Sequence, residues 1–282
     1  WMDRLLVERL EQRCEKIAVL LKANKHNWEE TFYQCLASGF GLKVNTEPFG
    51  QLGRALPLLT LLKHKNQLFQ IEALLFGQAG FLAFDFKEEY PNKLKKEFAF
   101  LQEKYELKPM AAFSWKFLRM RPANFPSIRI AQFAMLIFQS THLFSKILAA
   151  SDIAEIENAL AVKVSPYWES HYVFDKETKK RKKSLGKRTI HLLTINIIAP
   201  IIFLYGKEKA NDKYKNKAFQ LLESLKPETN KIINKWGELG MKPDSAYQTQ
   251  ALLQLKNKHC DAQKCLSCPI GNAILNKHPT KK

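Results

Sequence analysis

The chain has 282 residues, of which 46% are hydrophobic and 11% aromatic. A chain of this size and composition can bury a sizeable core, which excludes a globally disordered protein. The formal net charge is +18, and most of it lies beyond residue 100, where 31 Lys and Arg stand against 15 Asp and Glu. Such a charge attracts nucleic acid, an acidic membrane surface or an acidic protein, unless it serves only solubility.

The first residues read as the interior of a helix. An apolar stripe with steps of three or four runs through residues 4–21: Leu6, Leu10, Cys14, Ile17 and Leu21. Because residue 1 is Trp and the helix pattern starts at once, we expect a fragment of a longer protein. Five cysteines, three of them clustered, indicate a reducing compartment, so we expect a cytoplasmic protein.

Helical patterns continue along the chain. Asn27 and Glu30 have capping-box spacing, which predicts a helix over 28–38. The apolar run 66–82 predicts a central core helix, in which Glu72 is expected to form an ion pair at the helix edge. The same periodicity predicts further helices over 88–105, 127–148, 151–161, 208–225, 227–239 and 245–258. No alternating run suggests more than a few residues of strand.

Residues 190–205 form the most apolar stretch of the chain and are a candidate for a membrane-spanning helix. It spans 16 residues and contains His191, Asn196 and Pro200. A helix that crosses a bilayer needs about 20 largely apolar residues. We therefore predict a buried helix kinked near Pro200, and no membrane partner.

Together these patterns predict an all-α protein, a multi-helix bundle or array with a Cys-rich C-terminal tail. We expect a helical domain over 1–258 and a cysteine tail over 259–282. If the helical domain divides into two subdomains, the break is expected near 150–188. The sequence contains no Gly-rich phosphate loop and no recognisable pairing of nucleophile and base, so it indicates no catalytic residue and leaves open whether the protein is an enzyme.

A dense basic run precedes the apolar stretch. Glu177 is its only acid. Runs of this kind neutralise phosphates and bind polyanions with little sequence preference, and a solvated surface loop is the alternative. The candidate nucleic-acid-binding cations of this run are Lys176, Lys179, Lys180, Arg181, Lys182, Lys183, Lys187 and Arg188.

A second basic segment combines arginines with aromatic residues. Arg119, Arg121 and Arg129 are interleaved with Trp115, Phe117 and Phe125 in a Pro-containing loop that opens a helix. Arginine binds phosphate through two parallel hydrogen bonds, and neighbouring aromatic rings can stack on bases. These arginines are therefore candidate nucleic-acid contacts. The alternative is that they brace the ends of helices.

Three cysteines near the end of the chain have the spacing C-x4-C-x2-C: Cys260, Cys265 and Cys268. So tight a cluster predicts a shared metal, either zinc or an iron–sulfur cluster. Candidates for a fourth ligand are Cys14, Cys35, His259, His278 and a residue outside this chain. The alternative is reduced cysteines, or a disulfide, that pack the last turn.

Several segments resemble a bacterial family, domain of unknown function 2851. They are residues 27–34, 70–80 and 121–134 and the tail from Cys260 to Cys268. The resemblance covers essentially the whole chain and implies that it corresponds to the C-terminal part of a longer protein. The N-terminal part of the family carries Gly-Pro-Asp and Glu-x-His phrases that resemble a restriction-endonuclease-like core. None of those residues is present here, so the resemblance supplies no catalytic residue and no established activity.

Residues and resemblance lead to one hypothesis and one alternative. The hypothesis is a nucleic-acid-binding helical domain, the C-terminal part of a larger nuclease-like protein, with a small metal site. Its partners would be nucleic acid and the N-terminal half of the same protein. The alternative is a helical protein-interaction or scaffold module that does not bind nucleic acid.

Overall fold

The computed structural model describes residues 1–275, whose regular secondary structure is helical. They contain no β-strand, and two isolated antiparallel bridges join Lys163 to Ser184 and His171 to Glu177. The predicted all-α class is therefore confirmed. The α-helices are α1 (Met2–Ala23), α2 (Trp28–Phe40), α3 (Thr46–Ala55), α4 (Leu58–Leu62), α5 (Leu68–Gln78), α6 (Glu89–Tyr105), α7 (Pro126–Gln139), α8 (Leu143–Ala149), α9 (Ile153–Leu160), α10 (Pro166–Ser170), α11 (Lys187–Leu193), α12 (Ala199–Glu208), α13 (Asp212–Ser224), α14 (Lys231–Glu238), α15 (Ala246–Gln254) and α16 (Pro269–Leu275).

Shorter helical turns connect several of these elements. Two are π-helical, Thr194–Ile198 and Leu255–Cys260. Three are 3₁₀ turns, Ala112–Ser114, Pro122–Asn124 and Cys265–Ser267.

The chain divides into two compact units. The middle unit is Leu21–Leu193, and the terminal unit combines Trp1–Leu20 with Thr194–Lys282. The expected boundary between residues 1–258 and a separate tail is not tested by this division and stays a prediction.

Local chemistry explains where helices of the middle unit begin. The Asn27 side chain accepts the backbone N–H of Glu30 at 3.1 Å, which starts α2 as the capping pattern predicted. The single helix predicted over 127–148 is instead divided into α7 and α8. His142 adopts φ +53° at the break, and the Glu29 carboxylate accepts the N–H groups of Phe144 and Ser145, which begin α8. The sequence signal for this division was missed because the capping acid is more than 110 residues away.

The core of the middle unit is built around α5, which packs against α6 and α7. Its carboxylate, Glu72, is buried rather than placed at the helix edge. It accepts hydrogen bonds from the Tyr90 hydroxyl and, at 2.8 Å, from Ser165 Oγ. No cation pairs with it among the described residues, so the predicted ion pair is wrong. Burial raises the pKa of Glu72 to about 7, which favours the neutral acid.

In the terminal unit, Pro200 shapes the helix that contains it. Proline has no N–H, so the carbonyl of Asn196, four residues earlier, loses its usual helical donor. Arg13 Nη1 supplies donors instead, at 3.3 Å to that carbonyl and 2.8 Å to Asn196 Oδ1. The chain forms the π-helical turn Thr194–Ile198 just before this proline. The predicted kink near Pro200 stays a prediction.

One helical stretch, Lys187–Glu208, is long and apolar enough to cross a membrane by length and composition. Buried side chains make up 67% of its most apolar 18-residue window, and core helices of globular proteins meet the same criterion. The predicted absence of a membrane partner stays a prediction.

Candidate functional site

The arginine-containing loop of the middle unit is held by its aromatic residues. Trp115 is buried, donates from Nε1 to the carbonyl of Ala79 at 2.8 Å, and meets the ring of Phe49 edge-on. The ring of Phe117 contacts those of Phe81 and Phe125. These contacts hold the loop against the core of the unit. The backbone that carries the other side chains of the loop is therefore held in place.

The three arginines of this segment have different surroundings. Arg119 and Arg121 are exposed. Arg129 is only 4% exposed and donates to Gln132 Oε1 at 3.0 Å, Asn124 Oδ1 at 2.6 Å and Thr189 Oγ1 at 3.2 Å. Its Nε is buried without a partner among residues 1–275. Burial lowers the pKa of Arg129 to about 10. This arrangement favours the bracing alternative for Arg129 alone.

One lysine of the basic run is also buried. Lys183 is 6% exposed, and its Nζ donates to the carbonyls of Trp168 at 2.6 Å, Glu169 at 3.1 Å and His171 at 2.8 Å. These carbonyls lie at the C-terminal end of α10, where a cation satisfies acceptors that the helix itself leaves unpaired. The ammonium group also lies 3.9 Å from the centroid of the Tyr172 ring. Burial lowers the pKa of Lys183.

The other cations of the run are exposed. Lys180 pairs with Glu169 at 3.2 Å, and Lys187 pairs with Glu157 at 2.7 Å. The remaining five have no ion pair within residues 1–275: Lys176, Lys179, Arg181, Lys182 and Arg188.

The fold brings the two basic segments together. The hydrogen bond from Arg129 to Thr189 joins the start of α7 to the start of α11, directly after Arg188. Gln132 Nε2 donates to the carbonyl of Lys183 at 3.4 Å. These two hydrogen bonds join the start of α7 to the second half of the basic run, although about 60 residues separate Arg129 from Thr189 in sequence.

An aromatic groove lies beside these segments. We define it by Phe81, Phe84, Phe113, Phe117 and Phe174, and it encloses about 550 Å³. One wall is formed by residues 112–117, which lead into Arg119 and Arg121. Another part of the wall is formed by residues 173–175, which lead into Lys176. Each wall is therefore continuous with one of the basic segments.

Two carboxylates line the aromatic groove, and both already have partners. Asp175 accepts the backbone N–H groups of Lys87 at 2.8 Å and Glu88 at 3.1 Å. Asp85 pairs with Lys95 at 3.1 Å. Backbone N–H groups satisfy the Asp175 carboxylate, and Lys95 balances the charge of Asp85.

Sequence reasoning missed most of this groove. Phe84 and Phe113 are 57% and 90% exposed, and neither belongs to a pattern that marks a binding site. Phe174 comes from a third segment. The available signal was the Arg-rich aromatic loop, which identified one wall only.

The cysteine cluster was the most specific sequence motif. Cys260 and Cys265 are exposed, and Cys268 is buried. Among residues 1–275, no three His, Cys, Asp or Glu side chains are arranged to hold a metal ion. As arranged, the three thiols do not fit a metal centre, and the zinc or iron–sulfur cluster stays a prediction.

The candidate fourth ligands have other roles or lie elsewhere. Cys14 and Cys35 are buried, and burial raises the pKa of each thiol to about 12. Cys14 Sγ donates to the carbonyl of Pro200 at 3.3 Å. His259 Nε2 lies 2.8 Å from a Glu8 carboxylate oxygen. His278 lies outside the described residues.

Comparison with known proteins identifies a family and no characterised relative. Neither the curated proteins nor the solved structures give a match to the chain. The profile of a family described as "Protein of unknown function (DUF2851)" matches residues 1–231. The matched range includes three of the resembling segments, 27–34, 70–80 and 121–134, and ends before the cysteine cluster. The chain therefore belongs to the DUF2851 family.

Proposed function

We propose that the middle unit binds single-stranded nucleic acid with little sequence preference. Bases stack on rings of the aromatic groove, and phosphates contact the exposed cations of the two adjoining segments. The observation that carries this proposal is the continuity of each groove wall with one basic segment. A strand that lies in the groove would contact its rings and the exposed cations of the adjoining segments.

The aromatic part of the groove suits bases. Every base has a π-face, so stacking on aromatic side chains contributes affinity without reading sequence. Phe113 and Phe84 present the most exposed rings, while Phe117 and Phe174 are held by other aromatic side chains. A combination of rings fixed by their neighbours and rings accessible to solvent suits base stacking.

The cations suit phosphates. Arg119 and Arg121 follow one wall, and Lys176, Lys179 and Lys182 follow the other, all exposed. Neutralising phosphates releases counterions, so binding of this kind weakens steeply with salt and distinguishes poorly between sequences. The proposal does not assign a role to the cysteine cluster or to any catalytic residue.

The competing function is a helical interaction module for proteins. Exposed aromatic side chains also occur at protein interfaces. The two functions differ in their electrostatics, because only a polyanionic strand should give a large and linear salt dependence that is shared by unrelated sequences.

The test is fluorescence anisotropy of labelled oligonucleotides, about 20 nucleotides long. Single strands of several sequences and a duplex would be titrated over a salt series. We expect the single strands to bind more tightly than the duplex and to share one salt slope. The double variant Lys179→Ala/Lys182→Ala should reduce that slope by about two. Lys226→Ala/Lys242→Ala, which removes two exposed lysines of the terminal unit, is the matched control.

A second pair of variants tests stacking. Phe113→Ser should weaken binding by about 1–3 kcal/mol, because base stacking contributes this much per base. Phe100→Ser removes an exposed ring that does not line the groove, and should leave binding unchanged. Absence of binding to every single strand at low salt would reject the proposal and favour the interaction module. Equal losses in the Phe113 and Phe100 variants would reject the groove as the binding site.

A further inference from the structure

A second apolar groove lies in the terminal unit, and its lining differs from that of the aromatic groove. We call it the lysine-rimmed groove. It encloses about 380 Å³ between α14 and the π-helical turn Leu255–Cys260. Its apolar lining is Ile232, Trp236 and Leu239. Three lysines, Lys231, Lys235 and Lys256, complete the lining, together with Cys260.

Helix α14 forms one side of this groove, and local capping contacts set both of its ends. Asn230 Oδ1 accepts the N–H groups of Ile232 and Ile233, each at 3.0 Å, which starts the helix. At the other end, Met241 N–H donates to the Trp236 carbonyl at 2.9 Å, and Gly240 adopts φ +87°. This pattern is a Schellman motif, in which a left-handed glycine reverses the chain.

The chain reversal at Gly240 covers some apolar side chains and leaves others exposed. Met241 and Trp236 pack against a small core of Ile233, Leu252 and Leu253. Leu239, at the turn itself, remains 74% exposed and lines the groove. The fold therefore leaves a leucine and one side of a tryptophan accessible beside a well-packed core.

The opposite side of the groove is a π-helical turn. Its wider winding is marked by the bond from Asp261 N–H to the Lys256 carbonyl at 2.9 Å, five residues back. Lys256 and Cys260 of this turn both line the groove. Single π-helical turns are rare in proteins and occur frequently at functional sites.

The charge of the lining is one-sided. No Asp or Glu is among the lining residues. Lys231 and Lys235 are exposed and have no ion pair within residues 1–275, while Lys256 pairs with Asp261. An apolar cleft with two unpaired cations at its edge is complementary to a molecule with an apolar chain and an anionic end.

We propose that the lysine-rimmed groove binds an anionic amphiphile. Its acyl chain lies against Ile232, Trp236 and Leu239, and its carboxylate or phosphate headgroup pairs with Lys231 and Lys235. The volume falls in the range of small-ligand sites, about 300–1,000 Å³, and the lining offers one aromatic ring rather than a series for successive bases. The inference is independent of nucleic-acid binding by the middle unit.

The experiment uses dodecanoate, below its micellar concentration, and its chain-brominated analogue 12-bromododecanoate. We expect calorimetric binding of dodecanoate to one site. The brominated analogue should quench tryptophan fluorescence beyond the effect of dodecanoate, because bromine quenches rings that it contacts. Trp236→Phe should abolish the additional quenching, although Trp1, Trp28, Trp115 and Trp168 remain.

Lysine variants test the headgroup. Lys231→Ala/Lys235→Ala should weaken dodecanoate binding about fivefold, which is the scale of two exposed ion pairs. Lys226→Ala/Lys242→Ala changes two exposed lysines that do not line the groove and should leave the affinity unchanged. Melting curves of both variants would show that they remain folded.

Further arms distinguish the source of the amphiphile. Phosphatidylglycerol vesicles that carry brominated acyl chains should quench Trp236 if the headgroup belongs to a phospholipid, with phosphatidylcholine vesicles as the neutral comparison. Quenching of Trp236 by 12-bromododecanoate but not by the brominated vesicles identifies a free acid. Absence of binding to both probes would overturn the proposal. Equal binding of dodecanol and dodecanoate, or binding of an acidic amphipathic peptide but not of dodecanoate, would overturn the ligand class.

Discussion

The charged side chains of the middle unit fall into two groups that the sequence does not separate. Arg129, Lys183 and Glu72 are buried and are satisfied chiefly by neutral groups, such as carbonyls, hydroxyls and amides. Arg121 and Lys182 lie in the same two basic segments as the buried cations but are exposed. The difference is between an ionisable group that is held inside the fold and a cation that remains exposed on the surface.

The comparison also shows why a basic run should be interpreted residue by residue. Lys182 and Lys183 are neighbours in sequence, yet one is exposed and the other caps the end of α10. A polyanion can contact the first, whereas loss of the second removes a donor from the carbonyls of Trp168 and His171 and leaves that of Glu169 only the N–H of Arg181. Substitutions within such a run can therefore impair binding for two unrelated reasons.

The largest effect on the free energy of unfolding is expected at Lys183 and not at its neighbour Lys182. Lys183→Met keeps an unbranched side chain but removes the ammonium donor, so we expect a loss of about 2–4 kcal/mol in the free energy of unfolding. Lys182→Met should change that free energy by less than about 0.5 kcal/mol. Urea unfolding of both variants measures the difference. Equal stability of the two variants would show that the ammonium of Lys183 does not support the fold.

The next effect concerns the buried acid and depends on pH. The pKa of Glu72 rises from 4.5 to about 7 on folding. Between these values the folded chain keeps a proton that the unfolded chain has lost. The stabilising contribution is therefore complete below pH 4.5 and is lost as pH rises through 7. The full loss is about 3 kcal/mol at most.

Glu72→Gln isolates this dependence, because glutamine is neutral at every pH. We expect the stability of the variant relative to the unchanged protein to increase between pH 5 and pH 8. Urea unfolding at several pH values measures the trend. Parallel curves for the two proteins would contradict a raised pKa, and a trend of opposite sign would indicate a stabilising carboxylate.

A smaller effect on stability is expected when two arginines of the second basic segment are each replaced by lysine. Arg129→Lys keeps the charge but loses the planar fork that reaches Asn124, Gln132 and Thr189, so a loss of about 1–2 kcal/mol is expected. The melting temperature should fall by several degrees. Arg121→Lys should leave the melting temperature unchanged and weaken oligonucleotide binding. If both variants melt normally and bind less well, Arg129 contacts the ligand despite its burial.

The last prediction concerns the reactivity of the cysteine thiols, which burial again divides into two groups. Cys260 and Cys265 should react quickly with an alkylating reagent, and Cys14, Cys35 and Cys268 slowly. Mass analysis of the digested protein after timed labelling measures each thiol. Protection of Cys260, Cys265 and Cys268 together, in protein purified without oxygen and containing zinc or iron, would instead support the predicted metal.

Local patterns in the sequence were sufficient for most of the helical segments and several of their ends, but not for the break between α7 and α8. The spacing of Leu6, Leu10 and Leu21 follows the helical period, and all three are buried. Asn27 starts α2, and Pro200 follows a distorted turn, because caps and proline act through nearby backbone groups. Such effects depend on a few consecutive residues and are therefore readable without a structure.

The partners of charged and aromatic side chains could not be read in this way. Glu72 was expected to meet a cation but meets Tyr90 and Ser165, the latter more than 90 residues away. The groove combines Phe84, Phe113 and Phe174 from three segments. Their distances in sequence carry no periodic signal, because the contacts arise only when separate helices pack.

The sequence alone determined the all-α class, the excess of positive charge beyond residue 100 and the positions of two basic segments. These properties follow from composition and from helical periodicity, which act over one or a few turns. Only the tertiary structure decided that Lys183 and Arg129 are internal while Lys182 and Arg121 are free for a ligand. Burial depends on which helix covers a side chain, and that is fixed by packing between residues far apart in the chain.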